Sequence, residues 1–406
     1  MTKAAYLIPF LFVPLFSACD KGATAIIKEP IPVDKVEKIA EMNQVLGWNI
    51  FKQEQLAKPG QNVLISPFSI QTALTMATNG AQGVTLGEML SLMGCENCAV
   101  NDLNPLHRDL TQLLSKQSGS PTLTVANRYF HDAARINVKP PFLDALSAHY
   151  SCGDQKLNFD NEQAALDQIN NWVKNSTNGK IPQILERITA LDVAFLINAI
   201  HFKADWATGF APQLTTQKAF TKADGSQTQV DFVNADRDFT FAQTALFNLV
   251  DIPFKDSTFS VSFIQPTTAN TDANWHLNIT PSSWKGMYEA AQYGRAMVFF
   301  PKLKLAYDND LIQSLKHLGM KAAFSDRDAD FTLMGTAVKN IFINQIKHKA
   351  VLEIDEKGAE GAAVTSIGFG ITSVPPTFWF NRPFVLVLRH IPTNTMVFVS
   401  YVADPS

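Results

Sequence analysis

Asp355-Glu-Lys-Gly-Ala-Glu-Gly-Ala-Ala-Val-Thr-Ser-Ile-Gly-Phe-Gly-Ile-Thr-Ser-Val-Pro-Pro-Thr377 is an unusual passage for a globular chain. A strand pattern, Ala350 to Ile354, leads into it, and two more, Phe378 to Phe380 and Phe384 to Leu388, follow it. Loops of that length without structure are uncommon in compact domains and are usually functional or disordered. A plain flexible linker would be more polar and less β-branched, whereas this one carries Val364, Thr365, Ile367, Ile371 and Thr372. It has the composition of a strand that is not yet in a sheet. Alternate side chains of a strand face opposite sides. One set is Ala359, Gly361, Ala363, Thr365 and Ile367, small at its leading end and apolar later, as a core face requires. The other is Glu360, Ala362, Val364 and Ser366, with its one charge where water can reach it. The competing reading is a floppy small-residue loop.

Upstream, Asp34 is placed to cap a helix with apolar residues at Val36, Ile39, Met42, Leu46 and Ile50. Asn62 to Ile65 reads as a short strand, Ser69 to Thr78 and Glu162 to Asn175 as helices. From there on the texture changes. Phe195–Lys203, Phe259–Ile264, Met297–Leu305, Pro383–Arg389 and Met396–Val402 are short runs rich in Val, Ile and Phe, and predict strands. Helices first and strands later indicate an α+β fold with large antiparallel or mixed sheets. No repeat or linker divides residues 34–406, which read as one domain.

The chain has 406 residues with a net charge of −3, so no strong field steers it toward nucleic acid or an anionic surface. Hydrophobic residues at 46% and charged residues at 17% fit a globular protein and exclude a disordered or fibrous one. The first 18 residues read as an export signal. Lys3 precedes a 13-residue apolar run, Ala4–Phe16, too short for a spanning helix, which needs about 20 residues. Ser17-Ala18-Cys19 then resembles a bacterial lipobox, although Phe16 stands where Leu is usual; the alternative is an ordinary secretory signal. Acylation of Cys19 would anchor the chain, and residues 19–33 would be a tether. Cys95 and Cys98 form one C-x-x-C pair, either a loop disulfide or two thiols, and Cys152 is single. Two thiolates do not make a zinc site.

No G-x-S-x-G or H-E-x-x-H occurs. Gly368-Phe-Gly370 opens like a dinucleotide loop, but Ser373 replaces the third glycine. The eight histidines show no metal-ligand spacing, and nothing calls for a metal, a cofactor or a catalytic role.

Five motifs in order resemble the serpin family. They are Asn62-Val-Leu-Ile-Ser-Pro-Phe-Ser-Ile70, Asn171-Trp-Val-Lys-Asn-Ser-Thr-Asn-Gly-Lys-Ile181, Asn198-Ala-Ile-His-Phe-Lys-Ala-Asp-Trp206, His348-Lys-Ala-Val-Leu-Glu-Ile-Asp-Glu-Lys-Gly358 and Phe380-Asn-Arg-Pro-Phe384. The resemblance implies three β-sheets, about nine helices and an exposed reactive-centre loop. It also implies suicide inhibition of serine proteases: cleavage of the loop, a covalent acyl complex, and insertion of the loop into the main sheet. Counting from Glu356, which resembles the glutamate opening the hinge, puts the cleaved bond at Thr372-Ser373. The hinge comprises Gly358, Ala359, Gly361, Ala362, Ala363, Val364 and Thr365. Ala359 is expected to be exposed until cleavage. Ser66, Ser69, Asn198 and His348 resemble the family's sheet-opening cluster, with Trp206 at the top of the sheet; ordinary buried hydrogen bonders and a core aromatic are the simpler readings. Thr372 suits elastase- or subtilisin-like pockets, and Ile371 suits papain-like enzymes. The expected protein is an envelope-anchored or extracellular monomer and no enzyme. The alternatives are a non-inhibitory carrier or storage serpin and, from a different class, a surface hydrolase. The hinge has no bulky or Pro-rich residue to favour the first, and the hydrolase lacks a nucleophile elbow.

Overall fold

The computed structural model describes residues 31–115, 120–270, 272–359 and 375–406. Its helices are α1 Glu37–Ala57, α2 Pro67–Thr78, α3 Gly83–Leu92, α4 Val100–Leu114, α5 Pro140–Tyr150, α6 Glu162–Ser176, α7 Pro281–Glu289 and α8 Ile312–His317. The strands begin with β1 Val63–Ile65, β2 Thr122–His131, β3 Ile136–Val138, β4 Gly153–Lys156, β5 Ala194–Asp205 and β6 Thr216–Thr221. They continue with β7 Gln227–Gln243, β8 Phe247–Pro253, β9 Phe259–Pro266, β10 Gln292–Pro301, β11 Leu303–Asp310 and β12 Gly335–Ala337. The last are β13 Lys347–Ile354, β14 Gly358–Ala359, β15 Thr377–Trp379, β16 Phe384–His390 and β17 Thr395–Val402.

Local chemistry explains most boundaries. The α2 helix starts two residues before the predicted Ser69, because Ser66 accepts a hydrogen bond from the Ser69 N–H and Pro67 takes the first helical position. Asp34 does not cap α1. It lies in a 3-10 turn, and its carboxylate accepts from the adjacent Lys35 N–H. The run Met297–Leu305 is two strands, not one: β10 ends at Pro301, and β11 begins at Leu303 in a different sheet.

A nine-stranded sheet has the order β1-β17-β16-β9-β8-β7-β10-β15, with β6 on β7. Its pairs are antiparallel except β10–β15. Strands β16 and β17 read as unbroken apolar runs because every residue in them is buried. At their centre Phe263 meets Phe300, Phe380 and Phe384 at ring distances of 4.8, 5.3 and 5.8 Å. Each such buried ring contributes on the order of 2 kcal/mol. The helix α2 packs against both β17 and β5.

The resemblance implies three sheets, and the hydrogen-bond ladders divide the chain further. The strands β14-β5-β2-β4 form one sheet, β11-β13 a second and β12-β3 a third small one beside the nine-stranded sheet. Among the described residues no ladder joins β5 to β13. The expected α+β architecture stands, and the strands β14-β5-β2-β4 and β11-β13 form two separate leaves either side of one cavity.

Candidate functional site

The site is a slot between those leaves. One edge of β5 pairs with β2 over ten residues, from Thr122 opposite Lys203 to His131 opposite Ala194. Along its other edge, among the described residues, the ladder is the one with β14 at Ala204 and Asp205. The strand β13 pairs with β11 along its whole length on one side. Between the leaves lies a cavity of about 180 Å³, lined by Asn198 and Ile200 of β5, His348 of β13 and Ser69 and Ala73 of α2. Strand edges present a row of donors and acceptors, which makes such a slot a template for another strand.

The two faces of β5 differ. Phe195, Ile197 and Ala199 pack in one apolar cluster with Ile169 and Val173 of α6. Asn198, on the opposite face, reaches Ser69 of α2. A strand entering the slot would therefore have α6 on one side and α2 on the other.

At the top of the slot is the hinge turn. The Asp355 N–H donates to the Gly358 carbonyl at 3.1 Å, and the Asp355 carboxylate accepts from the Lys357 and Gly358 N–H groups at 2.7 and 3.1 Å. Gly358 has φ +135°, and a Cβ there would lie 2.2 Å from the Ala204 carbonyl oxygen, so only glycine fits. The turn is held from the outside. Trp206 Nε1–H donates to the Asp355 carbonyl at 2.8 Å, Trp206 N–H to Lys357 O at 2.9 Å and Phe210 N–H to Glu356 O at 2.9 Å. The Trp206 ring stacks on Phe254 at 4.6 Å.

The Glu356 carboxylate accepts from Lys302 Nζ at 2.8 Å and from Thr215 Oγ1 at 2.6 Å. Burial pushes its acidity toward a higher pKa, but the Lys302 and Thr215 hydrogen bonds outweigh burial and hold it below the usual glutamate range. The residue therefore stays ionised at neutral pH.

Ala359 corrects one expectation. It is not exposed: only 3% of it reaches solvent, and it already sits opposite Ala204 in the sheet. The turn is tight enough that β14 makes its first two rungs without any cut in the loop.

The predicted polar cluster does assemble. The Ser66 N–H donates to His348 Nε2 at 3.1 Å, and Ser66 Oγ–H donates to the Val397 carbonyl at 2.7 Å. The Ser69 hydroxyl donates to Asn198 Oδ1. The N-terminus of α2 thus bridges β13, β17 and β5. Burial drives the His348 imidazole down to about 4, against a smaller upward pull from Asp308. The neutral ring fits its role as acceptor.

Sequence reasoning missed several members. Asn127 of β2 accepts from Asn198 Nδ2 at 2.7 Å and donates to the Tyr150 carbonyl at 2.8 Å. Lys302 and Thr215 hold Glu356. A signal for Lys302 exists: it is the one charge inside the apolar run Met297–Phe300, Pro301 and Leu303. Gly361, Ala362, Ala363, Val364, Thr365, Thr372, Ser373 and Cys19 lie outside the described residues. Cys95 and Cys98 are disulfide-bonded, and Cys152 is a buried thiol. Among the described residues no helix is long and apolar enough to cross a membrane.

With this geometry in hand, the comparisons are informative. The family model Serpin (serine protease inhibitor) matches residues 41–405. Human glia-derived nexin is 28% identical over 382 residues, covering 90% of this chain and 94% of its own. The native thermophilic serpin tengpin has a TM-score of 0.83 at 28% identity, covering 90% of this chain and 94% of its own. Human thyroxine-binding globulin, complexed with thyroxine, has a TM-score of 0.83 at 24% identity, over 92% of this chain and 100% of its own; that likeness concerns the fold alone. The bare expectation of no enzyme gives way to a positive description, that of a family of serine protease inhibitors.

Proposed function

The chain belongs to the serpin family, and on that premise we propose that it inhibits serine proteases as a suicide substrate whose loop enters the slot between β5 and β13. One observation supports the reading: among the described residues no ladder joins β5 to β13 across the cavity between them, and β14 lays its two residues beside β5 at one end of it. Reactive-loop insertion is the serpin form of strand addition. The register of β14 sets what would follow. Each step down the loop is one step back along β5, so residues 360–369 would oppose 203–194. Thr365 would arrive opposite Asn198, and the hairpin with β13 would put it opposite His348 on the other side. Its hydroxyl would then join the two halves of the polar cluster. Glu360 would oppose Lys203 at the exposed end of β5.

The protease's serine attacks the Thr372 carbonyl, the Thr372–Ser373 bond breaks with Ser373 leaving as a free amine, and the serine is held as an ester of Thr372; insertion then drags the protease away before water can hydrolyse that ester. The intact fold is thus a kinetic trap, and the race between insertion and deacylation decides the outcome. Thr372 is small and uncharged, which suits elastase- or subtilisin-like pockets. It would leave the buried acid of a trypsin-like pocket unpaired. Ile371 favours papain-like cysteine proteases as secondary targets.

The remaining features concern location. Residues 1–18 are read as a lipoprotein-type signal of a bacterial chain, Cys19 as the acylated first residue of the mature protein, 19–33 as a tether and 34–406 as the inhibitory domain, working as a monomer in the cell envelope. Replacing Cys19 with Ala should release the protein from the membrane fraction; an unchanged distribution contradicts the anchor.

The test of inhibition is incubation with an elastase-type serine protease followed by denaturing electrophoresis. A covalent complex is expected, with a released C-terminal fragment beginning at Ser373 by mass spectrometry. Quantitative cleavage without a complex would contradict inhibition and favour the non-inhibitory carrier or storage reading.

A further inference from the structure

The turn that follows α6 crosses the slot just below the point where β14 stops. It is a rigid turn. Asn178 and Gly179 have φ of +48° and +80°, Gly179 N–H bonds back to the Lys174 carbonyl at 2.7 Å, and Ile181 N–H donates to Thr177 Oγ1 at 3.1 Å. From it two side chains reach opposite leaves. The Asn178 amide nitrogen lies 3.3 Å from His201 Nδ1 on β5, and Lys180 Nζ lies 2.8 Å from Glu353 Oε2 on β13. Lys180, His201, Glu353 and Ala359 line one small cavity of about 20 Å³. Val351 of β13 packs on the apolar cluster that ties α6 to β5.

From this geometry we infer that Asn178 and Lys180 form a clasp across the two leaves, which positions β13 against the β5 body and sets how readily the slot opens ahead of the entering strand. The inference rests on the inhibitory reading for its consequence but not for its measurement. The turn belongs mechanically to β5, because α6 and β5 share one apolar core. The Lys180–Glu353 pair is therefore a side-chain tie from that body to β13 at the slot's mouth. Both partners are about one-third exposed, so the pair is a light restraint that thermal motion breaks often. A heavy one would block insertion. The cavity beneath leaves room for small side chains only, so a strand with a small residue three positions beyond Ala359, opposite His201, needs the clasp to open only briefly as it passes. The sequence has Ala362 there.

The experiment compares amide hydrogen exchange in the intact full chain for wild type, Lys180→Met, Asn178→Ala, and the swap Lys180→Glu with Glu353→Lys. Lys180→Met keeps the apolar stem and removes the charge. It should raise exchange in segments 194–203 and 347–354 by about two- to five-fold, with the unfolding midpoint and exchange in β16 and β17 unchanged. Asn178→Ala should do the same more weakly, and the swap should restore wild-type exchange. Unchanged exchange at those two segments in Lys180→Met overturns the clasp. So does a rise spread evenly over the protein, which would mark an ordinary stabilising contact. A trapping assay on the same variants reads the consequence: a faster-opening slot should lower the number of inhibitor molecules consumed per protease trapped. If wild type forms no covalent complex, the inhibitory reading fails while the exchange result still decides the clasp.

Discussion

Strands β16 and β5 are built from similar residues, Phe-Val-Leu-Val-Leu in one and Phe-Leu-Ile-Asn-Ala-Ile in the other, and they are used in opposite ways. The first is paired on both edges, with β17 and β9, and every side chain is buried. The second is paired along one edge and, among the described residues, at two positions of the other, and it faces a cavity. Side-chain chemistry sets which strand is apolar. It does not set whether both edges are used. On the proposed mechanism, the place for a further strand is the slot and not the finished core.

The largest stability effect belongs to the finished sheet. Phe263→Ala should cost about 3–5 kcal/mol of unfolding free energy in chemical denaturation, because the surrounding rings cannot close the hole. Leu196→Ala, beside the slot, should cost less than half of that, since its surroundings already include empty space. Equal losses would erase the distinction between the two regions.

Acid should act next, through His348. Its folded-state pKa of about 4 lies below the unfolded value of about 6.5. Above pH 6.5 both states are neutral there and nothing is lost. As pH falls from 6.5 toward 4 the unfolded chain takes the proton first, and stability declines by on the order of 3 kcal/mol. His348→Gln should flatten the stability profile over that window. An unaltered slope would show that the imidazole is not the buried acceptor of the Ser66 N–H.

The slot's first rungs should respond by about 2 kcal/mol. Gly358→Ala sets a Cβ against the Ala204 carbonyl in a backbone region that alanine avoids. Ala359→Arg puts a charge into the sheet. Both should expel β14 from the intact chain, visible as increased exchange at the Ala204 and Trp206 amides and altered Trp206 fluorescence. Ala359→Arg should in addition turn inhibitor into substrate, because the penalty recurs on insertion. Retained trapping at wild-type stoichiometry would refute the insertion mechanism. The smallest effect, about 1 kcal/mol, is expected for Lys302→Met, which leaves Glu356 with Thr215 alone. Because Glu356 is more acidic when folded, its contribution holds above the unfolded pKa and fades as pH drops below it.

These contrasts also explain what the sequence could disclose. The strands β16 and β17, the helix α6 and the strand β5 were legible because burial imposes an apolar period on them. The run of small residues after Gly358 stands out in the sequence because it has no place in an ordinary core, and of the expected hinge Glu356, Gly358 and Ala359 fall within the described residues. Two features were not legible. Glu356, Thr215 and Lys302 are far apart in the chain, and only the folded register brings a charge on the β10–β11 bend to the hinge. The burial of Ala359 depends on whether an edge is free, and an edge leaves no mark on residue identity. Asn127 escaped for a third reason: β2 mixes polar and apolar residues, so its strand pattern is weak and nothing in the sequence singles out its amide.

The account stands on the slot being the seat of the loop, and thermal unfolding of the chain before and after a single cut at Thr372-Ser373 tests that directly. With ten further residues paired between β5 and β13, the cut chain should melt higher by on the order of 10 °C or more. A cut chain that melts at or below the intact one would mean that the loop stays outside, and that the slot serves some other purpose.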